Sequence, residues 1–517
     1  MESLFAVSAS TSLLLCAAAV VAVLFLADRA RQARAAAKAK LLDSEFGDEL
    51  PAPPGPHAWP IIGNLHLLAG YAVPYQAFTP LANRYGSVFK LSLGSAPCVV
   101  VNGLSNIKEV IVTKGAQFDG RPNFRRYHEL FCGDKENSLA FCDWSAVQKA
   151  RREMLRAHTF PRAMSARWTQ LDSLLGIELD AVRSRLDAAG AGAAVEAKPL
   201  LLGACANVFT SYFCSKRFNP DDASFRDMIH NFDRIFDEVN QGYAADFLPW
   251  LLPLHSRHFA TLAGWSHKIR DFMTNSILQE RLDAWEHGKQ SDATKDDYVE
   301  ELIGHVRGNA EPAMSWDTAM FALEDIVGGH SAVGNLLIKV LGYVATHPEV
   351  QDRVHEEAVR AGVTKGKTVT LADRTLMPYT EGVVLEAIRL ISSPIVPHVA
   401  NQDSSIAGYK VEKDTLIFLN NYELNMSPAL WTKPEEFMPE RFVSPEGRLA
   451  KPEHFLPFGG GRRSCMGYKM VQYVSFATIA NLLNEYRILP IQGRDYTVPI
   501  GNLALPWDSY QFHFERR

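Results

Sequence analysis

One glycine-rich segment brings a cysteine to the start of an apolar run with the character of a helix. Residues 457–467 read Pro-Phe-Gly-Gly-Gly-Arg-Arg-Ser-Cys-Met-Gly. Metal is bound by the thiolate form of cysteine, and the free N–H groups and positive dipole end of a helix N-terminus favour that charged form. Cys465 is therefore the candidate metal ligand. The glycines let the backbone turn tightly against a flat partner, and the guanidinium of Arg463 can bind a carboxylate.

The spacing Phe-x-x-Gly-x-Arg-x-Cys-x-Gly in this segment resembles the haem loop of cytochromes P450. For a cysteine taken alone, the alternative is an ordinary buried residue. A phosphate-binding loop is excluded, because no Lys-Ser or Lys-Thr closes the glycine run. The resemblance implies a haem b cofactor with Cys465 as its axial metal ligand, and Phe458, Arg463 and Gly467 as further haem contacts. It also implies a mainly α fold with minor β structure, in one large haem-thiolate domain.

A second candidate site lies in a long apolar helix predicted over residues 316–345. Residues 328–333 read Gly-Gly-His-Ser-Ala-Val, and each glycine costs a helix about 1 kcal/mol relative to alanine. The close approach of a flat ligand would be one compensation. P450s have an oxygen-activating bend here, usually Ala-Gly-x-Asp/Glu-Thr-Thr. Gly329 matches that pattern, whereas Ser331 replaces the acid and Ala332 replaces the threonine.

The proton supply at this bend is therefore expected to be unusual. Splitting O₂ requires protons, and an acid and an alcohol side chain usually support their delivery. Ala332 cannot take part. Ser331, His330 or a water held at Gly329 are the candidates, and the alternative for His330 is an ordinary core or surface histidine.

A helix opened by Trp144 carries the next feature, and the family resemblance implies that Trp144 is a further haem contact. P450s usually place an arginine that binds a haem propionate four residues after this tryptophan, but the chain has Gln148 there. Lys149, Arg151 and Arg152 share the helix. They are predicted either to form a solvated face or to attract an acidic redox partner.

The C-terminal third supplies further resemblances. Glu386 and Arg389 stand three residues apart on an apolar helix, so they share one face as an ion pair. The family pattern implies that this pair and Arg441 lock the core beneath the haem. It also implies that His398 and Arg463 reach the haem propionates.

The first residues predict a membrane anchor. Residues 5–27 are apolar and long enough to cross a bilayer as a helix, which indicates one transmembrane segment within residues 1–27. Basic residues follow it, so the positive-inside rule places the body in the cytosol, at the endoplasmic reticulum by analogy with membrane-bound P450s. A cleaved secretory signal is the alternative. Residues 28–50 are a basic and polar linker, and a proline-rich stretch opens a P450 domain over residues 51–517.

Composition limits the function classes. A formal net charge of -5 gives no basic footprint for nucleic acid. The seven scattered cysteines include no C-x-x-C pair, which argues against a disulfide framework or a zinc site. A β-hairpin is predicted at residues 87–101 around Gly94-Ser95, and strands are predicted at 405–411 and 415–419.

Within the family, four strings resemble the insect ecdysteroid-making group called spook and spookier, part of the Halloween enzymes. The strings are residues 118–128, 142–145, 328–336 and 458–473. The resemblance implies a monooxygenase that oxidises a sterol early in ecdysteroid synthesis, after 7-dehydrocholesterol, with electrons from NADPH-cytochrome P450 reductase. Residues near Phe131, Leu323, Val396 and Leu503 are candidates for an apolar pocket wall.

Two other functions stay open at this point. Ala332 motivates a reductase-independent isomerase or dehydratase that acts on an already oxidised steroid. The third possibility is a non-catalytic haem or sterol binder that has lost its proton supply.

Overall fold

The computed structural model describes Ala30 and residues 50–517, apart from residues 191, 290–293, 295 and 365. The predicted anchor at 1–27 and almost all of the linker at 28–50 lie outside the described residues. Within the described part of the chain, no helix has the length and apolar character needed to span a membrane.

Helices are the main regular structure of the described chain and strands are a minor part, which confirms the predicted fold class. The α-helices are α1 Phe78–Tyr85, α2 Leu104–Lys108, α3 Arg125–Leu130, α4 Ala146–Thr159, α5 Ala166–Ala189, α6 Ala197–Cys214, α7 Ala223–Asn240, α8 Ala244–Phe247, α9 Ser256–Met273, α10 Gln279–Glu286, α11 Tyr298–Arg307, α12 Trp316–Ala345, α13 Pro348–Arg360, α14 Pro378–Ile391, α15 Asn421–Met426 and α16 Tyr468–Glu485. The strands are β1 Val88–Leu93, β2 Ala96–Val101, β3 Val195–Glu196, β4 His398–Val399, β5 Ser404–Ile406, β6 Tyr409–Val411, β7 Leu416–Leu419, β8 Tyr486–Pro490 and β9 Gln511–Arg516.

The described residues form two compact units. The first holds the described residues up to Phe118, Tyr243–Leu254 and Val396–Asn420. The second holds Asp119–Gly242, His255–Ile395 and Asn421–Arg517.

A four-stranded sheet in the order β1-β2-β7-β4 organises the first unit. The predicted hairpin is confirmed: β1 and β2 are antiparallel with Leu93 opposite Ala96, and Gly94 turns the chain at a φ of 56°. The predicted strand at 405–411 is broken instead into the hairpin β5–β6. Ala407 and Gly408 have φ values of 50° and 81°, and two residues of that left-handed kind make a tight turn between antiparallel strands.

The proline-rich stretch runs beside this sheet. Lys90 in β1 donates its backbone N–H to Pro54 O at 2.8 Å. Beyond the prolines, Gly63 has a φ of 60°, and a Cβ there would lie 2.2 Å from Ser92 O, so only glycine fits. The buried side chain of Asn64 accepts the Ser92 N–H at 2.8 Å and fixes the turn.

The long helix α12 lies in the core of the second unit and has the predicted bounds, Trp316–Ala345. The Ser315 hydroxyl caps it by accepting the Thr318 N–H at 3.1 Å. α12 packs against α6, α7, α14 and α16. At Gly334 a Cβ would lie 2.5 Å from Leu202 Cδ2, so this glycine lets α6 approach closely.

Candidate functional site

The loop that carries Cys465 ends at the N-terminus of α16, as the sequence predicted. Gly467 is the N-cap residue of that helix. Burial raises the pKa of the Cys465 thiol, while the backbone N–H groups of Gly467 and Tyr468 and the positive charge of Arg152 act in the opposite direction. The loop therefore directs positive groups at the sulfur, and these offset part of the cost of burying its thiolate form.

The path of the loop brings Cys465 to an accessible position. Gly459 and Gly461 have φ values of 66° and 62°, where glycine is strongly favoured, and the Cys465 N–H donates to Phe458 O at 2.9 Å. The Phe458 ring lies against Tyr468, with centroids 5.9 Å apart. Cys465 is accessible, so the loop leaves open space beside this residue.

Arg463 carries an unused hydrogen-bond donor beside this loop. Its side chain is buried and donates one guanidinium N–H to Cys142 O. Its Nε is buried without a hydrogen-bond partner among the described residues. An unpaired buried donor is costly, so Arg463 fits an anionic group supplied by a bound molecule. A thiolate ligand, an open space and this donor together fit a haem with its carboxylates.

The structure changes the interpretation of α4. This helix begins at Ala146, two residues after Trp144, and Gln148 is buried with its Nε2 donating to Leu139 O at 2.7 Å. Arg151 is only 1% exposed and donates to Asn137 O at 2.6 Å. The prediction that Arg151 lies on a basic surface is therefore wrong.

Two neighbours of Arg151 behave differently. Lys149 is exposed, and its Nζ lies 3.8 Å from a carboxylate oxygen of Glu153. Arg152 donates to Ser464 O at 2.5 Å and so ties α4 to the cysteine loop.

Two further predicted haem contacts have well-defined partners. Trp144 is half-buried, and the Arg462 guanidinium lies 5.0 Å from the centroid of its ring. His398 belongs to the first unit, where its Nδ1–H donates to Phe118 O at 2.6 Å.

The middle of α12 presents one accessible stripe. Between Ala319 and Gly342 every residue is buried except Asp325, Gly328, Gly329 and Ala332. These four residues follow the spacing i, i+3, i+4 and i+7, so they share one face of the helix. An otherwise buried helix with an accessible face borders a space, and this accessible stripe contains the predicted bend.

Aromatic side chains of neighbouring helices explain why two glycines occur on the stripe. A Cβ at Gly328 would lie 2.8 Å from the Phe232 ring, and one at Gly329 would lie 3.2 Å from the Phe209 ring. Close aromatic packing therefore compensates for the cost of these glycines in a helix. The approach of a flat ligand was the compensation that the sequence suggested.

His330 and Ser331 lie off the accessible stripe, and both are fully buried. The His330 Nδ1–H donates to Val327 O at 2.7 Å, and the ring meets Phe232 edge to face. The Ser331 hydroxyl lies 3.4 Å from His330 Nε2. Burial lowers the pKa of His330 to about 4, so the imidazole is neutral at pH 7. Gly329 therefore lies on the accessible stripe, whereas His330 and Ser331, the other two residues predicted to supply protons, do not.

The burial of His330 predicts a dependence of stability on pH. The unfolded histidine has a pKa near 6.5, so between that value and about 4 the unfolded state binds more protons. Protonation of His330 therefore does not affect the free energy of unfolding above about pH 6.5, and it lowers that free energy by about 2 kcal/mol at pH 5. We expect the urea midpoint of His330→Gln to fall less between pH 7 and pH 5 than the wild-type midpoint. An equal fall of the urea midpoint in both proteins would contradict the conclusion that His330 is buried in its neutral form.

Sequence reasoning missed Asp325, which lies seven residues before Ala332 on the same face. Its Oδ2 accepts the Leu139 N–H at 2.6 Å and the Ser138 hydroxyl at 3.0 Å. The helical period alone could have found it, because residues seven apart share a face. The motif at 328–333 had drawn attention to adjacent residues only.

The comparisons with known proteins agree with this site. The cytochrome P450 family model matches residues 53–514. The chain belongs to the cytochrome P450 family, and it is a P450 monooxygenase. Membership implies a haem-thiolate cofactor, a reductase as redox partner and a lipophilic substrate.

Individual relatives span most of the chain. It is similar to Cytochrome P450 307a1 of Drosophila melanogaster, at 39% identity over 481 residues that cover 88% of each chain. Cytochrome P450 1A1 of Macaca mulatta is 28% identical over 474 residues, which cover 88% of this chain and 90% of the relative. Cytochrome P450 1A2 of Oryctolagus cuniculus is 28% identical over 482 residues, which cover 87% and 89%.

Proposed function

We propose that this monooxygenase oxidises a sterol in an early step of ecdysteroid biosynthesis, after 7-dehydrocholesterol. The observation that carries the proposal is the likeness of residues 118–128, 142–145, 328–336 and 458–473 to the insect ecdysteroid-making group. The relative at 39% identity also comes from an insect. NADPH-cytochrome P450 reductase is the proposed electron donor.

The proposed cofactor is haem b, with Cys465 as the axial ligand. When bound, the haem supplies oxygen activation, and a thiolate ligand favours O–O cleavage. The chain holds the charge of that thiolate with the N–H groups of Gly467 and Tyr468 and with Arg152. Arg463, whose Nε has no hydrogen-bond partner among the described residues, is the proposed partner of a haem propionate. For His398, the role of a haem contact is proposed from the family resemblance alone.

Two more residues complete the proposed haem contacts. The rings of Phe458 and Trp144 are proposed to lie against the macrocycle. Each already has one aromatic or cationic neighbour that fixes its position: Tyr468 for Phe458 and Arg462 for Trp144.

Gly329, His330 and Ser331 remain the proposed proton-supply residues. Gly329 borders the space, where a water can hydrogen-bond to the helix. The neutral His330 exposes an acceptor, Nε2, to the Ser331 hydroxyl. This pair can pass a proton along behind the accessible stripe, whereas the methyl group of Ala332 cannot.

The membrane assignment is part of the same proposal. Residues 1–27 would anchor the chain in the endoplasmic reticulum membrane, residues 28–50 would be the linker, and residues 51–517 would form the P450 domain in the cytosol. The apolar character of residues 5–27 and the basic residues after them support it.

Incubation with candidate sterols tests the function. The full chain, reductase and NADPH would be combined with 7-dehydrocholesterol or with its 3-keto and epoxide relatives, and the products analysed by mass spectrometry. We expect at least one sterol to be oxidised, because the site combines a thiolate ligand with a space bordered by a buried apolar helix. Omission of NADPH or reductase should abolish the product. No oxidation of any of the three sterols would contradict the proposal.

The accessible stripe also favours a second candidate, because Ala332 stands on it where an alcohol is usual. An isomerase or dehydratase acting on an already oxidised steroid needs no external oxygen and no proton delivery to it. Turnover of the 3-keto or epoxide sterol without NADPH and reductase would favour this candidate, and strict dependence on both would exclude it.

A further inference from the structure

Asp325 is the ionisable member of the accessible stripe. The helical rise of 1.5 Å per residue places it about 10 Å along the axis from Ala332. A group reacting at the bend lies beyond its reach. A rigid polycyclic lipid is long enough to reach both positions, and it would pass the Phe232 and Phe209 rings that pack against the glycines between them. Asp325 thus stands where the far end of such a ligand would lie.

The carboxyl group of Asp325 is held in one orientation. Within the described part of the chain, its two hydrogen bonds, from Leu139 N–H and the Ser138 hydroxyl, both end on Oδ2. Their donors are fixed in turn, because Gln148 donates to Leu139 O at 2.7 Å and Arg151 donates to Ser138 O at 3.2 Å. This leaves the lone pairs of Oδ1 for a ligand.

The adjacent acid has no such freedom. Glu324 is buried off the stripe and is paired with Arg270. The described residues form no ion pair with Asp325. Burial raises the pKa of its carboxyl, whereas the hydrogen bonds from Leu139 and Ser138, the positive charge of nearby Arg151 and the Ala140 N–H lower it. Arg151 is near Asp325 but donates hydrogen bonds to the carbonyl groups of residues 137 and 138. A carboxyl that is held in one orientation, forms no direct ion pair with the described residues and is partly accessible is suited to binding a neutral polar group.

We propose that Asp325 determines ligand selectivity, with its Oδ1 accepting a hydrogen bond from a hydroxyl group at the end of the ligand remote from the bend. The proposal rests on the proposed sterol function. A carboxylate has acceptors and no hydrogen to donate, so it pairs with a hydroxyl group and leaves a ketone oxygen without a partner. The pocket should therefore prefer a hydroxysterol to the corresponding ketosterol.

A purely structural role, in which Asp325 only tethers residues 138–140, makes a different prediction. In Asp325→Asn the amide oxygen still accepts from Leu139 and Ser138, while the amide NH₂ faces the ligand and donates to a hydroxyl or a ketone equally well. Ser138→Ala is the matched control, because it removes one tether bond and keeps the carboxylate.

The experiment is a spectral titration of the haem-loaded full chain at pH 8 with 7-dehydrocholesterol and with its 3-keto derivative. We expect wild-type protein and Ser138→Ala to bind the hydroxysterol about tenfold more tightly or better, and Asp325→Asn to show a ratio below about threefold. An unchanged ratio in Asp325→Asn, or an equal loss in Ser138→Ala, would overturn the selectivity role. Wild-type protein that binds both sterols equally overturns only this inference, whereas wild-type protein that binds neither also overturns the sterol function.

Discussion

Replacement of Cys465 by alanine is expected to abolish the absorption band that a thiolate-bound haem shows when reduced and exposed to carbon monoxide. That band depends on the sulfur ligand, and the structure directs the N–H groups of Gly467 and Tyr468 at this sulfur. The methyl group of alanine cannot ligate iron. The measurement is the difference spectrum of the purified full chain, together with its haem content.

The control for this variant is another accessible cysteine. Cys132 is exposed, and Cys132→Ser should leave the band unchanged because its thiol lies outside the glycine-rich loop. Circular dichroism would establish that both variants keep their helices. A band that survives in a folded Cys465→Ala protein would show that another residue holds the iron, and the proposed site would be wrong.

Local sequence patterns predicted the elements that carry the site. The long apolar run predicted α12 with its observed bounds, Trp316–Ala345, because a helix buried on nearly all sides is apolar along its whole length. The glycine run before Cys465 likewise predicted a tight loop leading into a helix. Each signal lies within one short stretch of chain, so no tertiary contact was needed to read it.

Burial of individual charged residues could not be predicted in the same way. Arg151 was expected on a surface because its neighbours are basic, yet carbonyl groups of residues 137 and 138 surround it. Whether a helix face meets solvent or another segment depends on packing between distant parts of the chain. The side chains of His330 and Ser331 illustrate the same limit, since the motif fixed their order but not their surroundings.

A buried polar network shows how far such contacts extend in sequence. Lys198 in α6 lies 2.6 Å from Asp233 in α7, which accepts a hydrogen bond from Asn335 in α12 at 2.7 Å. Lys198 and Asn335 also bind the backbone of Leu505. These four residues are far apart in the sequence and follow no common pattern. Only the folded chain therefore reveals that they form hydrogen bonds with one another.

The ion pair between Glu386 and Arg389 in α14 was predicted from their spacing. Breaking it is expected to cause a large loss of stability. Arg389 donates to Glu386 through Nε at 2.8 Å and through an Nη at 2.7 Å, and both side chains are fully buried. Arg441 adds a third bond to Glu386 at 3.0 Å. This bidentate geometry is present in the interior, where breaking such a pair costs far more than at a surface.

Arg389→Ala is expected to lower the free energy of unfolding by about 3–5 kcal/mol, because it leaves the buried Glu386 carboxylate without its main partner. That loss is a large part of the roughly 5–15 kcal/mol that stabilises a typical protein. A strongly reduced yield of soluble protein and a much lower urea midpoint should follow. Arg353→Ala is the matched control, since Arg353 pairs with Glu440 at the surface and such pairs contribute about 0–1 kcal/mol.

Two causes of the lower stability can be distinguished by experiment: the buried Glu386 carboxylate without Arg389, and the lost packing of the Arg389 side chain. If the buried carboxylate that keeps only Arg441 as a partner dominates, the additional change Glu386→Gln should restore part of the stability of Arg389→Ala, because a neutral amide is less costly to bury than a charge. If lost packing of the guanidinium against Trp431, 5.0 Å from its ring centroid, dominates, the second change should destabilise the protein further. A wild-type urea midpoint in Arg389→Ala would show that Arg441 alone holds the Glu386 carboxylate well enough, and that the bidentate pair adds no stability.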